Sequence, residues 1–350
     1  MLKSRVVQVF CVFALMLSVT VSAQNQAVDM PESAVTDDTV LAVWVDAGKF
    51  TPEAVRQAAE TINSALPEEM RSEQGQLQTK LDESMAKFRK GFKAFSEAGG
   101  KGALFLVEAV PMGQTSREPA ALLRVAPGTS PEDMQNAMQS IEGVDDAPLA
   151  TYQDGWLAGK EELGNVPTGG SAKNVQEFQK IFANSKASPV RMAFRMNGAL
   201  KERLQKQQQN AQGNPAGALL GPMQALNVGW MTMNLGQKPA LVSNLRFDSE
   251  QDATQFSSGW SNLLMMGQGM VQMQLNNAAG QNAPKPESIK GLFDELRFER
   301  NADTLTARIG MPFIQRLGEI APSLQNLMMQ MMMGGRGGGA QPAPAPQPRR

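Results

Sequence analysis

The folded part of the chain is first indicated by the stretch Thr39-Val40-Leu41-Ala42-Val43-Trp44-Val45-Asp46. Its continuous apolar run is typical of a buried strand. Thr51 then caps a helix that has Pro52 at its first position, and apolar residues recur at helical spacing as far as Leu66. The sequence therefore predicts a strand followed directly by a helix.

Residues 39–189 predict a module with the order β-α-β-β-α-β-β-α. A second helix from about residue 70 to 97 is indicated by apolar residues that step by three and four. Two strands and a helix that starts at Ser130 follow, and Asp154-Gly155 marks the turn of a hairpin. The predicted strands are 40–45, 103–110, 120–126, 150–152 and 156–158, and a helix over 175–183 closes the module.

Residues 190–333 predict the same order again. In each unit a Ser-x-x-Asp helix start directly follows the third strand, Ser130 with Asp133 and Ser249 with Asp252. Each unit also ends with a hairpin and a helix; the second hairpin is predicted from 293–299 and 304–309. We therefore expect an α+β protein of two tandem ferredoxin-like (split βαβ) modules, each an antiparallel sheet with helices on one face.

Both ends of the chain differ in character from these modules. Lys3 and Arg5 precede a mostly apolar run, and Val21-Ser22-Ala23 offers a cleavage site, so residues 1–23 predict a secretory signal peptide. A retained membrane anchor is the alternative. Residues 24–38 predict a polar leader, and the Gly/Pro/Gln-rich residues 334–350 predict a disordered tail. We expect export to a bacterial periplasm or to the exterior.

The composition limits the chemistry. The chain has 350 residues, no histidine and one cysteine, Cys11, which lies inside the predicted signal. It cannot form a Ser-His-Asp or Cys-His arrangement or a His/Cys metal site. With 33 basic and 34 acidic residues it lacks the charge of a nucleic-acid binder. We expect no cofactor, no metal and no enzymatic activity.

Two weaker patterns leave alternatives open. Ser84-Met85-Ala86-Lys87 matches the Ser-x-x-Lys of serine acyl-enzymes, although its partner motifs are missing. The 23 methionines suit Cu(I), but their spacing favours a helix core or a partner-binding stripe. Leu264, Met270 and Met273 are expected on one such helix face. Of the functions considered, a serine hydrolase is less favoured than a non-enzymatic role.

Two further sets of residues are candidate binding surfaces. Lys87, Arg89, Lys90 and Lys93 alternate with phenylalanines on a predicted helix, which suits a membrane surface, although a solvated helix face is the plainer interpretation. Trp44, Trp156 and Trp230 lie in predicted strands. They could form a ligand or partner face, or be buried between layers.

The stretch Thr39–Asp46 and the following Thr51-Pro52-Glu53, behind the leader, resemble secreted bacterial proteins of planctomycete type that have no assigned activity. The resemblance implies a duplicated α+β layout and no catalytic residue. We expect a non-enzymatic envelope or periplasmic protein with a binding or structural role, whose partner is a protein or an envelope component. The alternative is a lipid or membrane-surface binder that uses the basic Phe-rich helix and the Met-rich C-terminal helix.

Overall fold

The computed structural model describes residues 30–320, apart from 66–74, 114–117, 140–147, 161–162, 164–165, 167–168, 186, 211–216, 236–237 and 280–285. The helices are α1 (Pro52–Ala65), α2 (Gly75–Glu97), α3 (Pro131–Gln139), α4 (Ala172–Asn184), α5 (Gly198–Asn210), α6 (Gly217–Met223), α7 (Glu250–Ala279), α8 (Pro286–Asp294) and α9 (311–320). A 3-10 turn (Glu32–Ala34) precedes them.

The strands are β1 (Thr39–Asp46), β2 (Gly100–Glu108), β3 (Ala120–Val125), β4 (Leu149–Gln153), β5 (Trp156–Gly159), β6 (Val190–Arg195), β7 (Leu226–Asn234), β8 (Ala240–Phe247), β9 (Glu299–Asn301) and β10 (Thr304–Ile309). They form one sheet in the order β4-β5-β3-β2-β1-β6-β7-β8-β10-β9. The α+β class is confirmed, but the two separate sheets predicted from sequence are a single sheet joined where β1 pairs with β6.

The pairing differs from a split βαβ arrangement. A βαβ unit joins parallel strands by its helix, whereas β1 pairs directly and antiparallel with β2, the strand that follows α1 and α2. The other pairings in the sheet are antiparallel as well. The ferredoxin-like arrangement is therefore not confirmed.

Local signals explain why the elements start and stop where they do. Thr51 Oγ1 accepts the Ala54 N–H at 2.7 Å, and Ser130 Oγ accepts the Asp133 N–H at 3.0 Å, so both predicted helix caps are confirmed. Gly155 has φ of 69°, the left-handed conformation that the hairpin between β4 and β5 requires.

Helices cover both faces of the first half of the sheet, which corrects the prediction that they lie on one face. On the first face, Phe88, Phe92 and Phe95 of α2 pack with Val43 and Phe105. On the second face, α4 and the 3-10 turn pack against alternate residues of the same strands. The strands of this half are buried on both sides, so their sequences read as continuous apolar runs.

The segment before β1 belongs to this core. Met30, Ala34 and Val35 are buried with the α4 side of the sheet, and the Ser171 N–H donates to the Val35 carbonyl at 2.6 Å. Residues 30–38, which the sequence assigned to a polar leader, therefore contribute apolar side chains to the core. The few apolar residues of this segment lacked a period from which burial could be read.

The helix α4 also ties the two halves of the sheet together. Glu177 pairs with Arg246 of β8 at 3.0 Å, and Asn174 accepts a hydrogen bond from Arg195 of β6. Trp230 of β7 packs against the same core cluster as α4. In the described residues, α4 therefore contacts both halves of the sheet across the β1–β6 junction.

The second half contains two helices that the sequence did not predict, α6 and α8. The segment 293–299 was expected to be a strand. Phe293 instead lies in the last turn of α8, and the strand β9 begins only at Glu299. Ile289, Leu292 and Phe293 step by three and one and pack against α7 and α9, so helix packing determines this segment. The predicted signal peptide, residues 24–29 of the leader, the tail 334–350 and the C-terminal helix beyond 320 lie outside the described residues.

Candidate interaction surface

The most unusual surface belongs to α7, whose distal half has two apolar sides. Leu264 and Leu275 are buried, with Leu275 in a cluster with α8 and α9. The opposite side carries Met265, Met266, Met270 and Met273, which are between 49% and 66% exposed. We call these four residues the methionine face.

Helix geometry separates the two sides. At about 100° per residue, Met270 and Met273 lie about 120° and 180° around the helix from Leu264. The expectation that these three residues share one face is therefore wrong, because they are six and nine residues apart. Leu264 is part of the core side and the two methionines point away from it.

Charge is missing from the whole region. No acidic or basic residue occurs between Asp252 and Lys285. Exposed helix faces are usually solvated by charged residues, which make up about a quarter or more of a typical surface. The methionine face has no such residues, so its contact with water is made by thioether side chains and by neutral polar neighbours.

A small residue lies within the methionine face. Apart from its chain neighbours and the nearby backbone of α7, a Cβ placed on Gly269 would meet no heavy atom of the described chain within 4 Å. Another helix or extended segment could therefore approach the α7 backbone closely at this point, flanked by the flexible methionine side chains. Contiguous exposed apolar surface is typical of a site that binds another molecule.

The three predicted tryptophans lie on the second face of the sheet. Trp44 and Trp156 are in edge contact with ring centroids 6.1 Å apart, and both are buried in the core. Trp230 is half-buried and packs against the same cluster. Of the three side chains, only Trp230 is appreciably exposed to solvent. A ligand face formed by these tryptophans stays a prediction, and most of their surface is buried.

The basic residues of α2 point outward. Lys87, Arg89, Lys90 and Lys93 are exposed, and Lys93 lies 3.8 Å from Glu97. The phenylalanines that alternate with them are buried in the core. Because the apolar side of α2 is occupied, a membrane contact through this helix would be electrostatic only.

The Ser-x-x-Lys pattern lies on the same exposed side of α2. Ser84 and Lys87 both face solvent in the middle of the helix. Such exposure provides neither the water exclusion nor the low dielectric that activates a serine nucleophile. Within the described ranges, acidic side chains form no metal-binding group of three or more.

One buried ion pair was missed by the sequence reasoning. Arg191 of β6 is fully buried, and its Nη2 donates to Asp46 Oδ2 of β1 at 2.9 Å. Burial lowers the pKa of Arg191, and the charge of Asp46 opposes that effect. The guanidinium also donates to the Ser188 and Phe182 carbonyls at 3.0 and 3.2 Å. An arginine within the predicted strand 190–196 of the second module was the available signal.

The Asp46–Arg191 ion pair lies where the two halves of the sheet join. It lies at the junction between β1 and β6, where Trp44 and Arg191 are paired residues. The pair is covered by α4 through the Phe182 carbonyl. It therefore holds the two halves of the sheet and the covering helix in one register.

No protein-family model, curated protein or solved structure is significantly similar to the chain. Among the helices in the described ranges, none combines the length and the apolar character needed to span a bilayer.

Proposed function

We propose that this chain is an exported, non-enzymatic binding protein of the bacterial envelope or periplasm. It binds an apolar segment of a partner protein on the methionine face. The observation that carries the proposal is the exposure of Met265, Met266, Met270 and Met273 on a helix whose other side is already buried. A surface helix that is apolar on both sides requires a second partner.

The absence of charge favours a protein segment over a lipid surface. Helices that lie on anionic membranes carry lysine and arginine beside their apolar face, whereas α7 has neither. The cores of protein interfaces are instead depleted in charge and enriched in methionine and aromatic residues. Methionine also adapts to differently shaped apolar partners, because its side chain is flexible and polarizable.

Export and duplication complete the proposal. The basic start, apolar run and small residues of 1–23 support export, as does the resemblance to secreted planctomycete-type proteins. Read outward from the β1–β6 pair, the strand order is β1, β2, β3, β5, β4 in one direction and β6, β7, β8, β10, β9 in the other. This correspondence supports a duplicated module over 39–189 and 190–333. The sheet that the two copies share supports α7, which belongs to the second copy.

A membrane-surface role is the second candidate, and its support is the exposed basic side of α2 formed by Lys87, Arg89, Lys90 and Lys93. It predicts co-sedimentation with anionic vesicles that disappears at high salt, because exposed charges are screened within about 10 Å at 0.1 M ionic strength. An absence of vesicle binding at low salt removes this candidate and leaves the leading one untouched.

Photocrosslinking in the source cells tests the leading proposal. A photoreactive amino acid is introduced at Met270 and, in a matched control, at Met112, an exposed methionine outside the face. We expect a discrete adduct with a partner from Met270 and none from Met112, in an exported chain that starts at Gln24. Equal adducts from both positions contradict the binding surface, and a cytoplasmic chain that retains Met1 contradicts export.

A further inference from the structure

We propose that residues 321–333 of the chain dock on the methionine face of the same molecule and compete there with the partner. This inference rests on the proposed function, because it treats the methionine face as a binding surface. It names the first occupant of that surface, and it makes access by a partner depend on release of the chain's own C-terminal segment.

The position at which the described chain ends supports this occupant. Ile320, the last described residue, is 1% exposed and belongs to the cluster that contains Leu275 of α7 and Ile289 of α8. The segment that follows therefore starts against the helix that carries the methionine face. Tethering of this kind gives an effective concentration in the millimolar range.

The chemistry of the segment matches the surface. Residues 321–333 contain two leucines and five methionines, and no charged residue occurs between Glu319 and Arg336. Docking it on a face that also has no charge removes apolar surface from water without dehydrating an ion on either side. Leu327, Met328 and Met331, in the last eight residues of the segment, recur at the spacing of one helix side.

The segment is long enough to reach the far side of α7. The path around half of a helix about 10 Å across is about 16 Å, which five extended residues span at about 3.3 Å each. Pro322 has no backbone N–H to donate to a helix carbonyl, which favours a change of direction at the start of the segment. The remaining eight residues cover about 12 Å as a helix, the length of α7 from Met265 to Met273.

Two other occupants are less well supported. A lipid surface is less well supported because α7 has no basic residues that would attract anionic lipid. A second copy of the chain could pair two methionine faces, but it lacks the advantage of tethering at low protein concentration. Dilution and a charge variant of the segment separate these cases.

Methionine oxidation by peroxide in the purified full chain provides the test. Met270 and Met273 are 61% and 66% exposed in the described structure, against 40% for Met112 and 0% for Met134. Without an occupant they should be oxidised faster than Met112. If residues 321–333 occupy the face for about nine-tenths of the time, their oxidation slows about tenfold and falls below that of Met112.

A charge variant and dilution identify the occupant. Leu327→Glu with Met331→Glu should restore fast oxidation of Met270 and Met273 and leave Met112 and Met134 unchanged. Protection that persists on dilution supports the tethered segment, whereas protection lost on dilution assigns the face to a second copy and overturns the proposal. Fast oxidation of Met270 in the unmodified chain also overturns it.

The outcome is separable from that of the proposed function. Fast oxidation of Met270 in the purified chain, together with a partner adduct from Met270 in cells, overturns docking of 321–333 and leaves the binding function standing. Slow oxidation supports the docking, and the absence of a cellular adduct even from the Leu327→Glu/Met331→Glu chain contradicts a partner. Leu327→Glu with Met331→Glu should further increase the cellular adduct severalfold, because it removes the competitor.

Discussion

Replacing Asp46 by asparagine should destabilise the protein markedly, because it leaves the buried guanidinium of Arg191 without its counter-charge. Asp46 Oδ1 accepts the Gly48 N–H at 3.1 Å, and Oδ2 accepts Arg191 Nη2 at 2.9 Å. Asparagine retains the first hydrogen bond through its carbonyl oxygen. It then presents an amide N–H₂ to Arg191, so that two donors face each other.

The magnitude follows from the burial of the pair. Removing one partner of a buried ion pair costs about 3–5 kcal/mol. The lower end applies here, because the Asp46 side chain is 18% exposed and Arg191 keeps its bonds to two backbone carbonyls. A loss of about 3 kcal/mol with a urea m-value of about 3 kcal/mol/M lowers the midpoint by about 1 M.

Urea unfolding followed by circular dichroism measures this effect, with Lys93→Met as the control. Lys93 pairs with Glu97 at 3.8 Å, and both side chains are more than two-thirds exposed, so its loss should cost less than about 0.5 kcal/mol. Arg191→Met in the Asp46→Asn background should recover part of the stability, because it removes the buried charge but leaves the Ser188 and Phe182 carbonyls without this donor. A midpoint for Asp46→Asn equal to that of the control, or no recovery in the double variant, refutes the reasoning.

Four further substitutions test the packing and the local signals. Trp156→Ala should cost about 3–5 kcal/mol in urea unfolding because the ring is 1% exposed, and a loss below 1 kcal/mol contradicts its core position. Ser130→Ala and Ser249→Ala should each cost about 1 kcal/mol, since each hydroxyl accepts a helix N–H; clearly unequal losses would show that the two caps differ. Gly229→Ala should cost about 1–3 kcal/mol because its new methyl group would overlap the Phe194 ring, and it should become nearly neutral in a Phe194→Leu background if this overlap is the cause.

Local patterns predicted most of the individual elements. The apolar run of β1, the serine caps at Ser130 and Ser249 and the Asp154-Gly155 turn each depend on a few neighbouring residues, and each is confirmed. Periodicity also identified the buried side of α2, with Phe88, Phe92 and Phe95 in the core. These features require no knowledge of distant partners.

Features that depend on distant pairing could not be read in the same way. The β1–β6 pairing joins residues about 150 positions apart, and no local pattern distinguishes one continuous sheet from two. Covering of both sheet faces was likewise not evident, although the continuous apolar runs of β1 and β2 were compatible with it. The N-terminal residues Met30 and Val35 became core residues only through contact with α4.

The candidate surface was visible in part. The methionine content and the helical spacing of α7 raised the possibility of a partner-binding stripe, but the core and the surface methionines could not be told apart. Apolar residues occupy both sides of the helix, so composition alone leaves its orientation open. Burial of Leu264 and Leu275 determines which side packs inward and which side remains exposed.

The dissociation constant of the crosslinked partner, measured with and without Met270→Lys in the Leu327→Glu/Met331→Glu chain, in which residues 321–333 do not compete, tests the binding surface most directly. A lysine placed in a desolvated apolar contact should cost at least about 2 kcal/mol, or about 30-fold in affinity. Stability should change by less than about 0.5 kcal/mol, since Met270 is exposed in the described structure. A 30-fold weaker complex at unchanged stability is the predicted result, and an unchanged dissociation constant contradicts the methionine face as the binding surface.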